Sequence, residues 1–185
     1  MLHQINDIIQ IVTATVLGLA CILLVKHSKS GHHTWTGIGF TISIFCYVII
    51  ESQAIQAVPV LKFIAMVGAI CIPVQFWFLA RAIFDDHFKF TPRLIGWFLV
   101  QLVPHFNFFI CDVVSWSWFV PMSNILAGGV SLGFVLAGLY TALKTKQSDL
   151  IDSRLKFRNV FIIVTATIIG MTLIVEAIPI NPQTI

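Results

Sequence analysis

Residues 121–146 read PMSNILAGGVSLGFVLAGLYTALKTK, an apolar run that ends in two lysines. A helix needs about 20 consecutive apolar residues to cross the hydrocarbon core of a bilayer. Basic residues are retained on the cytoplasmic side of such a helix. The stretch therefore predicts a membrane-spanning helix whose C-terminal end lies inside the cell.

The same arrangement recurs along the chain. Ten of the 11 Lys and Arg residues lie in three short segments, residues 26–29, 81–93 and 144–158, and long apolar runs separate these segments. Placing all three segments inside predicts six spans, with both chain termini outside. The predicted fold class is all-α: a polytopic integral membrane protein with six transmembrane helices in one bundle, forming a single domain. The predicted spans cover about residues 5–25, 35–57, 63–84, 94–110, 121–143 and 159–178.

Composition points to lipid as the solvent. The chain is 58% apolar and 10% charged, with a mean hydropathy of +0.94. A soluble domain typically carries about 25% charged residues. The net charge of +3 then reflects the flanks of membrane helices, and anionic lipid headgroups are the expected partners. No basic residue precedes the first apolar run, so this run is predicted to be an uncleaved helix rather than a signal peptide.

Proline and small residues predict local features of two spans. Pro73 lies inside the third predicted span and predicts a kink there. In the fifth span, Gly129, Gly133 and Ala137 recur every four residues, a spacing that lets two helix backbones approach closely. This face either packs inside the monomer or forms a homodimer interface, and the sequence leaves both alternatives open.

Besides Asp7, four ionisable residues fall at or near the outer ends of predicted spans and are the candidate ligand-binding residues: Glu51, His105, Asp112 and Glu176. Ionisable groups within a membrane are energetically unfavourable, so they are candidates for function. One hypothesis is that these side chains line an outward-facing polar cavity for a small ligand, a cation or a proton. The alternative is that each side chain reaches the outer interface or caps a helix end.

Charged residues on two inner connectors are candidates for coupling to a cytoplasmic partner. The longer connector has the pattern of an amphipathic helix that extends the sixth span at headgroup level. The alternative is that these charges only set the topology. The candidates are Asp85, Asp86, Arg93, Asp149, Arg154 and Arg158.

The sequence contains no motif for catalysis or metal binding. The patterns H-E-x-x-H and G-x-S-x-G and the phosphate-binding P-loop are all absent. The four cysteines are widely spaced and show no Cys/His ligand spacing, which predicts buried packing residues. We therefore expect no enzyme activity, no cofactor, and no metal or haem.

Two motifs resemble a known membrane module. The first is FWFLARAIFDDHF at residues 76–88, followed by Pro92 and Arg93, and the second is DLIDSRLKFR at residues 149–158. Together with Glu176, they resemble the N-terminal multi-span sensor region of membrane-anchored AraC-family bacterial transcription regulators. The resemblance implies a sensory or signal-input module in a bacterial inner membrane, with a role in transcription regulation.

The chain also departs from those regulators. Nothing after Ile178 resembles their two helix-turn-helix units, and an even number of spans leaves the C-terminus outside, away from DNA. The expectation is a truncated regulator or a stand-alone membrane module that does not bind nucleic acid directly. Two rival functions are a small transporter or channel component that uses Glu51 and Glu176, and a membrane scaffold subunit.

Overall fold

The computed structural model describes residues 32–50, 52–85, 87–89, 91–106, 119–144 and 159–164, together with residues 13, 15, 16, 18, 19, 156 and 167. Every regular element in these residues is helical, which confirms the all-α class. The six-span bundle stays a prediction, because the first and sixth predicted spans lie largely outside the described residues. The helices are α1 (His32–Ile49), α2 (Gln53–Gln56), α3 (Pro59–Ile70), α4 (Ile72–Phe84), α5 (Ile95–Leu102) and α6 (Phe119–Lys144), with 3₁₀ helices at Pro92–Leu94 and Val103–Phe106.

The kink predicted at Pro73 is present as a sharp bend. Helices α3 and α4 meet at Cys71 with an angle of 46° between them. Pro73 has no N–H to donate to the Ala69 carbonyl, and its ring would clash with that carbonyl in a straight helix. The predicted third span is therefore two helices. It begins at Pro59 rather than at residue 63, because proline fits the first turn of a helix without losing a hydrogen bond.

Other helix boundaries differ from the predicted spans to varying degrees. Helix α6 matches its predicted span to within two residues at either end. Helix α1 ends at Ile49, and the short helix α2 covers part of what was predicted as one span over residues 35–57. Helix α5 ends at Leu102 and continues as a 3₁₀ helix, within which Pro104 can donate no backbone hydrogen bond.

Contacts between helices fix the direction of each one. On α1, Cys46 lies against Gly68 of α3 and Gly39 lies against Gln75 of α4, so α1 is antiparallel to the bent pair. Helix α5 is also antiparallel to it: the rings of Trp97 and Trp77 are 5.4 Å apart, and Gln101 reaches back to Ile70.

Helix α6 runs parallel to α4. Phe134 packs on Trp77 with ring centroids 5.6 Å apart, and one helical turn later Gly138 lies against Ala80. The start of α1, the end of α4 and the end of α6 therefore lie at the same end of the bundle. We call this the connector end, since each of the three basic segments is adjacent in sequence to one of these helix ends. Phe161 also packs there, with its ring 5.2 Å from that of Phe84.

The core of the described bundle lies between α4, α5 and α6. Phe78 is fully buried at its centre, and its ring meets that of Phe98 edge-on at 5.4 Å. The residues buried in this cluster are Cys71, Val74, Phe78, Ala82, Phe88, Leu94 and Phe134. Aromatic packing therefore holds α4 to its neighbours between the bend and the connector end.

The predicted small-residue face of α6 points away from this core. Gly129 and Gly133 are exposed, and no described atom comes within 4 Å of a Cβ built at either position. Ala137 is half-buried. At the two glycines the face has no packing partner within the described part of the monomer, and a homodimer interface there stays a prediction.

Length and composition identify one described helix as a candidate membrane span. It is the segment Met122–Lys144 of α6, and only 22% of its most apolar 18 residues are buried inside the protein. The bent pair Pro59–Ile70 and Ile72–Phe84 passes the same test when it is taken as one broken span, and Thr34–Ile49 is a shorter apolar helix.

We expect Gly138→Ala to destabilise the protein. A Cβ there would lie 2.7 Å from the Phe76 ring, and this ring cannot move freely because it stacks on Phe161 at 5.1 Å. Overpacking of this kind typically costs about 1–3 kcal/mol. Denaturant or thermal unfolding of the purified protein in detergent measures the loss. The matched control is Gly133→Ala on the same helix, which should leave stability unchanged or raise it slightly. Equal losses at both positions would contradict the packing.

Candidate functional site

A fully buried glutamine joins three helices at the bend. Gln101 of α5 has a relative exposure of 0%. Its Nε2 group donates one hydrogen bond to the carbonyl oxygen of Ile70 in α3, at 3.1 Å, and another to Oγ of Ser131 in α6, at 2.8 Å. We call the Gln101 side chain, the Ile70 carbonyl and the Ser131 hydroxyl the polar node.

The helix break explains why the polar node forms. The last four carbonyls of a helix have no donor within their own helix, and Ile70 is the final residue of α3. A carbonyl left without a donor in apolar surroundings is strongly unfavourable. The Gln101 amide supplies the donor from a neighbouring helix, and its second N–H fixes α6 to the same point.

The other polar atom of the Gln101 side chain is its carbonyl oxygen, Oε1. Oε1 is buried and accepts no hydrogen bond from any residue that the structure describes. Both N–H groups of Nε2 are already used, so the node has a free acceptor and no free amide donor. An unsatisfied buried acceptor typically destabilises a protein by about 1–3 kcal/mol.

His105 lies one helical turn beyond Gln101, on the side away from the connector end. Its Nδ1 is 2.8 Å from the backbone oxygen of Gln101, and the ring is half-buried. Because a carbonyl oxygen can only accept, Nδ1 carries the proton in this contact. This contact within the helix leaves the ligand-binding role of His105 a prediction.

The remaining predicted ligand residues cannot be related to His105. Glu51, Asp112 and Glu176 lie outside the described residues, so the outward-facing cavity stays a prediction. The same holds for the coupling candidates Asp86, Asp149, Arg154 and Arg158.

Asp85 lies within a compact structure at the end of α4. One of its carboxylate oxygens pairs with the Arg81 guanidinium at 3.1 Å, and the other accepts the backbone N–H of His87 at 3.1 Å. The Phe88 N–H also donates to the Asp85 backbone oxygen, at 3.0 Å. Both partners of the ion pair are partly exposed, and such a pair contributes about 0.3–0.5 kcal/mol. Its effect is on geometry more than on stability.

Aromatic rings add to this structure on both sides of Arg81. The guanidinium lies 5.6 Å from the Trp77 ring centre and 5.1 Å from that of Phe88, within the range of cation–π attraction. Phe88 is itself buried. We call Trp77, Arg81, Asp85 and Phe88 the arginine clamp. It joins the first residues of the connector to α4, whereas the coupling candidate Arg93 is exposed.

Sequence analysis did not single out Gln101 or Arg81 as site residues. The sequence contains one indication of a structural role for each residue. Gln101 is a lone amide inside an apolar run, where a polar group needs a partner, and Arg81 and Asp85 have the i,i+4 spacing of a helical ion pair.

The described residues offer little for metal chemistry. Within them, no three or more His, Cys, Asp or Glu side chains come together in a way that could hold a metal ion. Cys46 and Cys71 are buried and carry free thiols. The polar node contains no formally charged group, so it is suited to hydrogen bonding rather than to acid–base catalysis.

Comparison with known proteins adds no relative. The chain matches no protein-family model, no curated protein and no solved structure. The resemblance to the membrane region of AraC-family regulators therefore rests on the two sequence motifs alone.

We expect Gln101 and Ser131 to be energetically coupled. A double-mutant cycle with Gln101→Leu and Ser131→Ala should give a coupling energy of about 0.6–1.7 kcal/mol, the range found for hydrogen bonds between membrane helices. Unfolding of the purified variants in detergent measures it. Thr141→Ala on the same helix is the control, because Thr141 bonds to its own helix at Ala137. Its effect should add to that of Gln101→Leu within about 0.5 kcal/mol. Additivity with Ser131→Ala as well would disprove the bond.

Proposed function

We propose that this chain is a six-span module of a bacterial inner membrane that converts a stimulus into movement of its cytoplasmic connectors. The function includes no catalytic step. The observation that carries the proposal is the bent pair α3–α4, which links the polar node at the bend to the arginine clamp at the connector end. The motif resemblance to sensor regions of membrane-anchored regulators leads to the same class of protein.

Exposed apolar surface supports the placement in a bilayer. On α6, Ile125 is 76% exposed and Leu136 is 51% exposed, although both lie mid-helix. A core helix of a soluble protein would bury such side chains, whereas lipid tails solvate them. The large exposed aliphatic residues on α3 and α5 have the same explanation.

Aromatic residues support a single interfacial level at the connector end. Trp35, Trp97 and Tyr140 are all substantially exposed near this end. Trp and Tyr are enriched where the membrane meets water. Lys144 extends from the same region, with its Nζ 5.8 Å from the Tyr140 ring. A basic end with an aromatic belt is the pattern expected of a cytoplasmic face.

The bend gives the movement a physical basis. Helix α4 has 13 residues, so its length is about 20 Å, and full straightening of the 46° bend would displace its end by about 15 Å. A change of about 5° moves the same end by nearly 2 Å. Because the arginine clamp joins the connector to α4, the connector follows this displacement. A ligand can act as the stimulus only if its affinity for the protein differs between the two bend angles.

We expect the connectors after α4 and α6 to share one compartment. In a variant whose native cysteines are replaced, Lys89→Cys and Lys144→Cys should resist a membrane-impermeant maleimide in intact cells and react after permeabilisation. Lys62→Cys is the control, since Lys62 is exposed on α3 away from the connector end and should react in intact cells. Labelling of Lys89 and Lys144 from different sides would refute the topology.

We expect Pro73→Ala to move the connector end, since it restores an N–H that can straighten the bend. Spin labels at Lys62 and Lys89, both exposed and on opposite sides of the bend, report the distance across it by pulsed electron resonance in lipid nanodiscs. The distance distribution should shift by several ångströms or broaden. Pro59→Ala is the matched control, because a proline in the first helical turn lacks no needed donor, and it should leave the distribution unchanged. An identical distribution for Pro73→Ala would count against the mechanism.

A transporter or channel component is the second candidate, and the same bend favours it. Broken helices in many transporters expose backbone carbonyls that bind ions near the middle of the membrane. The carriers predicted for this function, Glu51 and Glu176, lie outside the described residues. Flux of Na⁺ and protons into proteoliposomes separates the two functions. Saturable flux that Pro73→Ala abolishes would replace the sensor proposal with this one.

A further inference from the structure

We propose that the break between α3 and α4 is a binding site for a small molecule that donates a hydrogen bond and carries no negative charge. Gln101 Oε1 is the atom that such a molecule contacts. Water is the smallest member of this class, and a hydroxylated or protonated solute is the other. The site does not depend on the proposed signalling function, although a solute bound there would be the stimulus for that function.

The first argument is the hydrogen-bond inventory of Gln101. The side chain is 0% exposed and both N–H groups have acceptors, whereas Oε1 has no donor among the described residues. Buried polar atoms in native proteins nearly always have a partner, and an exception calls for a specific explanation. A bound donor supplies that partner.

The second argument is that further acceptor capacity lies at the same break. In a continuous helix the Ala69 carbonyl would accept from residue 73, but that residue is a proline. The remaining donor to the Ala69 carbonyl is the Cys71 N–H, which the carbonyls of Val67 and Gly68 share. Since Oε1 belongs to the amide whose nitrogen is 3.1 Å from the Ile70 oxygen, it lies at this break too. A water molecule typically needs about two to four such partners.

The charge of the ligand follows from its surroundings. The groups that define the site are carbonyl and amide oxygens, all of which carry partial negative charge. The C-terminal end of α3 adds the negative end of its helix dipole. These groups repel an anion and attract an O–H or N–H donor. Because the Gln101 side chain is 0% exposed, the break has to open to admit a ligand, and this limits the ligand to a small size.

A structure of the full chain in lipid nanodiscs, at a resolution that resolves waters, is the direct test. We expect density within hydrogen-bonding distance of Gln101 Oε1, about 2.5–3.2 Å. Spherical density that persists after exchange into sodium chloride solution identifies water. Density that is lost on this exchange identifies a solute. Both outcomes support the site. The proposal fails if there is no density, or if a residue of this chain donates to Oε1.

Infrared spectroscopy gives an independent readout in solution. With glutamine labelled at its side-chain carbonyl carbon, the difference between wild type and Gln101→Met isolates the Gln101 band. We expect this band at the lower wavenumber of a hydrogen-bonded carbonyl, and a further shift in D₂O. Gln75→Met is the control that isolates a second glutamine on the bent pair. If Gln101→Met does not fold, Gln101→Asn keeps a polar side chain and isolates the band in the same way, because only glutamine carries the label. A band at the frequency of a free carbonyl overturns the proposal.

Discussion

The absent N–H of Pro73 is the constraint on which the rest of the described structure depends. It divides the third predicted span into α3 and α4, and the break leaves the Ile70 carbonyl to be satisfied from outside its own helix. Gln101 supplies that donor and also reaches Ser131, so α3, α5 and α6 meet at one point. A local covalent property therefore determines a contact between residues 31 positions apart in the chain.

The segment between the break and the connector end is held by different contacts from the break itself. Towards the connector end, α4 packs against α6 at Gly138, where only the missing Cβ permits the approach of Phe76. The arginine clamp then fixes the first residues of the connector to α4 through an ion pair and two aromatic rings. At the break, the described contacts are hydrogen bonds between uncharged groups and the packing of Cys71 and Val74 in the core. Because the arginine clamp fixes the start of the connector to α4, these residues and the helix move together when the bend changes angle.

Features with a local cause could be predicted from the sequence, and those that depend on distant partners could not. The bend at Pro73 follows from proline chemistry alone, and α6 follows from an apolar run bounded by lysines. The partners of Gln101 lie 30 and 31 positions away, so its role required the packed helices. Four-residue spacing of small residues predicted a close approach at Gly129 and Gly133. The described close approach is at Gly138, because spacing does not reveal which face of α6 meets α4.

The uncharged character of Gln101 sets the energy scale of any switch at the break. In the proposed membrane placement, a charged side chain here would destabilise the helix by about 2.5–3.5 kcal/mol on insertion scales, and its pairing would be correspondingly difficult to rearrange. A neutral amide hydrogen bond contributes only about 0.5–1.5 kcal/mol net. Reversing a two-state equilibrium from 1:99 to 99:1 requires about 5.5 kcal/mol of differential binding. Breaking the two hydrogen bonds from Nε2 costs only part of this differential binding energy. In the proposed mechanism, the polar node favours one bend angle, and a ligand that favours another has to offset only these two bonds.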